Sequence, residues 1–341
     1  MSSKFIHTYE TADHRILDLL DSIAYGSNGA IYRHQDTKDR IQMLDDPLFL
    51  TLERNDQVIA NLTFCRRQVG WYIRFFGFSE RFRSTGKTKK NLKNSTLKNE
   101  LKQFFDQAFI NDLNGLTTSK MYAYIDAEND RSELISKEFG FSIIGQLITQ
   151  TFSRVHPKRS KRLRTNQAWE LVREQVLKQY GEYRFLHLDQ ISKGNFYTIV
   201  NDDNEIIGLC HAIKVHWTID RLPGKYGKIL TKLIPYIPVI RKLIKPKNHH
   251  FLAVDTVWTK QNDPVLIEEL FSSILVEENL NLLIWWSDVK DPIRGNLGEK
   301  IYWGLLDKMV GRTVVNVISR QNEIEEAENS KPVFVSVFDM V

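Results

Sequence analysis

The 341-residue sequence is poor in cysteine, with two, and in proline, with nine. Cys65 and Cys210 each sit inside an apolar, strand-like run and offer neither metal-ligand spacing nor a disulfide framework. They read as reduced, buried thiols, which suits the cytoplasm. No metal site is expected, since His249 and His250 adjoin but stand apart from further ligands. No run approaches the roughly 18 apolar residues of a membrane span. Residues 1–9 lack the apolar core of a signal peptide, so the chain reads as soluble. Charge of one sign is also scarce: 47 basic against 42 acidic residues leave +5. That balance does not predict nucleic acid as a partner, and any electrostatic message must come from local clusters.

What is present is globular. Apolar residues make up 42% and charged residues 26%, values that exclude a mostly disordered chain. The length predicts two domains. The first half reads as mixed α and β. Ile16, Leu19, Leu20 and Ile23 recur at helical spacing after Asp13, and residues 25–29 break that helix. A hairpin follows, from residues 48–53 through the turn Asn55-Asp56 to a strand over 58–67. Residues 71–78 are apolar on both faces apart from Arg74, the pattern of a strand inside a sheet. An apolar helical stripe runs from Leu97 to Phe109. A strand over 121–125, a helix over 130–139 and a strand over 141–152 complete this half.

The second half repeats the order of elements. A helix is expected over 168–180, a hairpin over 196–215 turning at Asp202-Asp203-Asn204, and a strand over 251–258. A helix around Leu266–Leu275, a strand over 280–286, a helix around 302–309 and strands over 313–318 and 333–338 follow. This is the signature of a diverged duplication. The expected boundaries are 1–155 for the first domain, 156–165 for a basic linker and 166–341 for the second domain, and the basic stretch 154–164 reads as a solvated connection between the halves. Residues 219–250 are an insertion into the repeat. They mix Ile229, Leu230, Leu233, Ile237 and Val239 with Lys225, Lys228, Lys232, Arg241, Lys242, Lys245 and Lys247, and Pro235 and Pro238 divide them into short amphipathic pieces. They read as a helical hairpin packed on the core with its lysines in water. A lid over a substrate site and a peripheral contact with a membrane surface are the functional alternatives.

One stretch carries chemistry. The buried strand ends at Gly77-Phe78, and Glu80 follows. The basic loop Arg83-Ser84-Thr85-Gly86-Lys87-Thr88 then leads toward a helix. A helix entered from a strand presents unpaired N–H groups to an anion. Gly86 permits close backbone approach, and Arg83 and Lys87 supply positive charge. A nucleotide-triphosphate P-loop needs a glycine where Arg81 stands, so that reading is excluded. The stretch resembles the pyrophosphate-binding motif of the Gcn5-related N-acetyltransferases, with Arg83 and Gly86 matching and Thr88 departing at the last small position. Asn129, Ser132, Leu134, Gly140 and Phe141 resemble that family's later motif, an Asn opening a short helix that ends in Gly-Phe.

The resemblance covers residues 1–155. It implies an α/β mixed sheet in two tandem acyl-CoA N-acyltransferase-like domains, the second degenerate. It also implies acetyl-CoA or another acyl-CoA as co-substrate and one cofactor site per chain. Arg83, Ser84, Thr85, Gly86, Lys87 and Thr88 would hold the diphosphate. The backbone at Gly77 and Phe78 would hold the pantetheine arm, in a splay between this strand and residues 121–125. Asn129 belongs to the same cofactor-binding set. Ser136 stands where the family often carries a tyrosine general acid. An amine nucleophile must lose a proton, so carboxylates at the strand ends, Glu80 first and then Asp126 and Glu128, are the acid–base candidates. His7, His14 and His34 read as surface residues, and Cys65 as packing. The function expected is acyl transfer from acyl-CoA to an amine-bearing small molecule or peptide. The alternatives are a non-catalytic duplicated module and a membrane-surface acyltransferase with a long-chain donor.

Overall fold

A short strand, β1 (Ile6–Tyr9), leads into helix α1 (His14–Ser22). Asp13 starts the helix, its side chain accepting from the Ile16 N–H at 3.0 Å. Strand β2 (Ile31–His34) and helix α2 (Thr37–Gln42) follow. Next come the hairpin β3 (Leu48–Arg54) and β4 (Gln57–Arg67), then β5 (Gly70–Phe78). Asn55 and Asp56 both have positive φ, 51° and 59°, the pairing that a two-residue hairpin turn requires. Helix α3 (Thr96–Ile110) carries the chain to β6 (Lys120–Asp126), α4 (Asp130–Glu138) and β7 (Ser142–Ser153). The computed structural model describes residues 5–26, 29–68, 70–79, 96–110, 118–297, 300–321 and 330–341.

The second half runs through β8 (Leu163–Gln167), α5 (Trp169–Tyr180), α6 (Leu188–Ile191), β9 (Phe196–Val200) and β10 (Ile206–Arg221). Two short helices, α7 (Gly227–Leu233) and α8 (Ile240–Leu243), occupy the insertion. Strand β11 (His249–Thr259), helix α9 (Pro264–Glu277) and strand β12 (Leu282–Asp288) come next. The chain then forms α10 (Pro292–Leu297), α11 (Leu305–Val310), β13 (Thr313–Gln321) and α12 (Val337–Met340).

Thirteen strands form one sheet in the order β1-β3-β4-β5-β6-β13-β7-β12-β11-β10-β9-β8, with β2 added to β10. In each half a hairpin precedes a strand that is antiparallel to it and parallel to the next: β5 with β6, β11 with β12. Parallel neighbours need a crossover connection, and α3 and α9 supply it. The halves also exchange strands. β13 lies between β6 and β7 of the first half, with Val317 opposite both Tyr124 and Gly145. β7 of the first half pairs in turn with β12, Ile284 opposite Thr151. Tandem duplication thus ends in one continuous sheet.

Three parts of the sequence reading are corrected. Residues 333–338 are not a strand. Val333 makes a single bridge to Arg184, and the chain turns into α12. Its N–H groups are met by Asp288 at Val333 and by Asp255 at Val337, so this apolar segment crosses a sheet face instead of joining an edge. The basic stretch 154–164 is not a solvated connection. Arg154 pairs with Glu268 at 3.0 Å, the Lys158 N–H donates to Ser272, and Ser160 and Arg162 both bond Glu269, which docks the stretch on α9. The insertion is only partly packed: Ile234, Leu243 and Ile244 are buried, whereas Ile229, Leu230, Leu233, Ile237 and Val239 are exposed. Among the described residues no helix is long and apolar enough to cross a membrane.

A splayed strand pair and the polar cluster beside it

The parallel ladder between β5 and β6 is short. It pairs Trp71 with Met121, Tyr72 with Tyr122 and Ile73 with Ala123. Beyond Ile73 the two strands diverge. β6 stays with β13 as far as Asp126, and β5 stays with β4 as far as Phe78. The divergence starts at a bulge. Asn61 faces Gly77 and Thr63 faces Arg74, so Phe75 and Phe76 together oppose the single residue Leu62. Phe75 takes φ 50°, an uncommon conformation for a bulky residue. The Asn61 amide holds the kink by donating to the Phe75 carbonyl at 3.2 Å and to Thr63 Oγ1 at 2.8 Å. Phe75 itself is buried in the cluster around α1, with Ile16, Leu20 and Ile23. Gly77 lies under α1 so closely that a Cβ would meet Ile23 Cδ1 at 1.9 Å. Phe76 and Phe78 stack edge to face at 5.3 Å, Phe76 exposed and Phe78 half-buried.

Alternation along the strands puts Tyr72 and Arg74 on the same face as Tyr122 and Tyr124. The Tyr72 ring is 5.3 Å from Tyr122 and 5.4 Å from Tyr124. The C-terminal segment covers this face. Arg74 donates to the main-chain oxygens of Phe338 at 2.8 Å and Val341 at 2.7 Å. Arg67 pairs with Asp339, whose other carboxylate oxygen accepts from Tyr122 at 3.3 Å. Tyr122 Oη also lies 2.9 Å from His187 Nε2. Burial lowers the His187 pKa to about 4, so this imidazole is neutral at pH 7.

An aromatic group from β2 and β10 lies within electrostatic reach of Arg74 and Asp126. Tyr32 stacks on Trp217 at 3.8 Å, and His34 lies edge-on to Trp217 at 5.5 Å. Burial drives His34 down to about 3, with Arg74 and Arg40 adding to the shift against Asp36. Burial pushes Tyr32 up to about 12, and the Asp126 carboxylate adds to it. Among the described residues, His34 Nδ1, Asn61 Oδ1, Tyr124 Oη and Trp217 Nε1 are buried without a hydrogen-bond partner.

The residues singled out in the sequence fall in different places. Gly77 and Phe78 line the splay, and Asp126 ends β6 beside it, its Oδ1 accepting from the Glu128 N–H at 3.0 Å. Asn129 caps α4, its side chain accepting from the Ser132 N–H at 3.1 Å. Ser136 is buried and donates to the Ser132 and Glu133 carbonyls of its own helix at 2.9 and 3.0 Å. Its proton is thus shared within α4 and not directed at the splay. Glu80 and the loop residues Arg83, Ser84, Thr85, Gly86, Lys87 and Thr88 lie outside the described residues. The sequence reading passed over Tyr32, Trp217 and Asp339, and treated His34 as a surface residue although it is buried. The one signal was Arg74, a lone cation in an otherwise apolar strand.

The second half repeats the geometry with different chemistry. Its ladder pairs Leu252, Ala253 and Val254 with Leu283, Ile284 and Trp285, and the strands then part. Its bulge is at Thr256, φ 52°, between the pairs Leu209–Trp258 and His211–Asp255. His211 and Asp255 take the places of Thr63 and Arg74 and bond each other at 2.7 Å. The chain itself fills this second gap. Val333, Phe334 and Val335 line it together with Thr256, Trp286 and Asp288, leaving a cavity of about 10 Å³, room for one water at most. A separate cavity of about 390 Å³ lies at the start of β11, away from both gaps, among Lys214, Lys242, Lys245, His249 and His250.

No family model matches the chain, and no curated protein matches it. Solved structures do. N-myristoyltransferase from Saccharomyces cerevisiae with bound myristoyl-CoA aligns over 94% of this chain and 83% of its own, with TM-score 0.54 and 9% identity. A putative acetyltransferase from Pyrococcus horikoshii aligns over 99% of this chain and 97% of its own, with TM-score 0.53 and 12% identity. At such identities the likeness shows the fold alone: this chain shares with these two structures a mixed α/β fold, here built as two tandem units joined in one continuous sheet.

Proposed function

We propose that the chain transfers an acyl group from acyl-CoA to an amine, at one site in the first half. The observation that carries this reading is the β5–β6 splay, opened by the Phe75 bulge after three ladder pairs. A gap of this kind leaves strand N–H groups to bind the thioester arm and to stabilise charge developing on its carbonyl oxygen. The arm would run past Gly77 and Phe78. Arg83 to Thr88 would take the diphosphate, as their resemblance to the family motif implies. Phe76 and Phe78 would flank the arm.

The amine would approach where this face is least covered, at the half-buried Tyr32 and Tyr124, the acceptor being a small molecule or a peptide. The nitrogen forms a bond to the carbonyl carbon, and the carbon–sulfur bond breaks. The proton lost by the amine passes to Asp126, directly or through water, with Glu80 as the other carboxylate near the strand end. The thiolate of CoA leaves and takes up a proton from water, and Asp126 gives the amine's proton back to water, so the carboxylate is restored. His34 stays neutral and can accept a hydrogen bond from the incoming amine. The second half is proposed to bind no CoA, because residues 333–335 fill its gap.

Thermal unfolding with acetyl-CoA and with myristoyl-CoA tests the reading. A ligand at about 100 times its dissociation constant adds roughly 2.7 kcal/mol, a rise of a few degrees in Tm. The longer donor is included because one structure of this fold holds myristoyl-CoA. A rise with either donor, lost in Arg83→Ala, supports the proposal. An unchanged Tm with both at millimolar concentration sinks it.

A further inference from the structure

We propose that residues 225–247 dock the protein on a bilayer rich in anionic lipid, lying on the surface without crossing it. The argument begins with what this segment exposes. Tyr226, Ile229, Leu230, Leu233, Tyr236 and Ile237 are all exposed, Tyr236 by 80% and Tyr226 by 62%. Ile229, Leu230 and Leu233 lie three and four residues apart on one side of α7, Tyr226 starts that helix, and Tyr236 and Ile237 follow in the turn after it, so the exposed apolar residues are clustered along one short segment. Single exposed apolar residues are ordinary on a protein surface, but a contiguous stripe marks an interaction site.

The helix cannot roll to bury that stripe. Gly227 faces inward so tightly that a Cβ there would meet the Leu222 carbonyl oxygen at 1.8 Å. Thr231, one turn on, donates to the Gly227 carbonyl at 2.7 Å and accepts from the Leu222 N–H at 3.2 Å. Ile234 continues the buried side. With Gly227, Thr231 and Ile234 fixed against the end of β10, the opposite side of α7 must face outward.

Charge decides the occupant. Residues 225–247 hold seven lysines and arginines and no aspartate or glutamate. Lys228 and Lys232 lie one turn apart on α7 beside the apolar residues, both exposed, and among the described residues neither forms an ion pair. A basic row beside an apolar stripe matches an anionic lipid surface, where the lysines reach phosphates and the apolar side chains enter the acyl boundary. A second copy of this chain is the poorer occupant, because a two-fold contact would bring one set of seven cations against another. Pro235 and Pro238 keep the helices short, so the segment rests on the bilayer. This inference stands on the insertion alone and does not depend on acyl transfer.

The test is flotation of the full chain with vesicles of phosphatidylcholine alone and of phosphatidylcholine mixed with phosphatidylglycerol. The protein is expected to float with the mixed vesicles and to remain behind with the neutral ones. Each surface lysine contributes about fivefold in affinity, so Lys228→Glu with Lys232→Glu should weaken binding by at least tenfold. Ile229→Asp with Leu233→Asp should abolish it. All four positions are exposed, so a Tm near that of the parent shows that the variants remain folded, and the Tm response to acyl-CoA should be unaltered. Absence of flotation, equal flotation with both vesicle types, or unchanged flotation of both variants overturns the proposal. Self-association without vesicle binding, lost in Ile229→Asp with Leu233→Asp, also overturns it and assigns the stripe to a second copy.

Discussion

Arg67 on β4 and Asp339 in α12 form a buried ion pair, Nη2 to Oδ1 at 2.5 Å, across 272 residues of sequence. The pair holds the C-terminal segment against the first half, and Tyr72 adds to it by donating to the Asp339 carbonyl. Removing one member leaves the other charge buried and uncompensated, a loss of about 3–5 kcal/mol. Asp339→Ala should therefore lower the urea midpoint sharply. Replacing both, Arg67→Met with Asp339→Leu, should recover most of that loss, since neither partner is then left unpaired. A double variant as unstable as Asp339→Ala would show that shape and not charge sets the cost.

Much of the fold was legible because it is local. The Asn55-Asp56 turn, the Asp13 cap and the apolar faces of α1 and α9 are written in neighbouring residues. Strand exchange is not. Residues 313–318 read as a strand, but nothing in them says that they will enter the other half between β6 and β7. Residues 333–338 show the same limit: an apolar run looks alike whether it joins a sheet edge or crosses a sheet face. What separates the two is Asp255 and Asp288, both far upstream, which meet its N–H groups. The candidate site was half legible. Gly77, Phe78 and Asp126 follow from the strands, whereas Tyr32 and His34 arrive on β2, a four-residue strand too short and too polar to stand out.

Acid should destabilise the protein below pH 6.5, and His34 should account for part of the effect. Burial lowers His34 from 6.5 to about 3 and His187 to about 4. Between those values and 6.5 the unfolded chain binds the extra proton, so stability is complete above 6.5 and falls as pH falls. Each such histidine contributes about 1.4 kcal/mol per pH unit in that window. Asp291 opposes them: burial raises it to about 6, so its share of stability is lost as pH rises from about 4 to 6. Urea unfolding from pH 4 to 7 should show stability rising with pH, and His34→Phe should flatten the slope by about 1.4 kcal/mol per unit. An unchanged slope would place His34 in water.

The close approach of α1 to β5 predicts a coupled pair. A methyl group at Gly77 meets Ile23 Cδ1 at 1.9 Å, so Gly77→Ala should cost about 1–3 kcal/mol through overpacking. Ile23→Ala alone should cost about 2–5 kcal/mol by opening a cavity. Because the added methyl enters that cavity, the double variant should be more stable than the sum predicts, by 0.5 kcal/mol or more. Strict additivity in denaturant unfolding would mean that the helix end moves aside.

Asp126 offers the sharpest separation of chemistry from binding. It ends β6 at the splay, and its charge reaches Tyr32 across the cluster. If it takes the proton of the attacking amine, Asp126→Asn removes the base while keeping the shape and the hydrogen bond from the Glu128 N–H. Positioned general bases contribute about 10²–10⁴ in rate, so kcat should fall by at least 10² with little change in KM for acyl-CoA. The acyl-CoA-dependent rise in Tm should persist, because the proposed donor contacts, on β5 and at Arg83–Thr88, do not include Asp126. Raising the pH should restore part of the rate, since an amine already deprotonated in solution needs no base. A matched fall in kcat and in donor binding would instead assign Asp126 to holding β6 in place, and Glu80 would then be the carboxylate to replace.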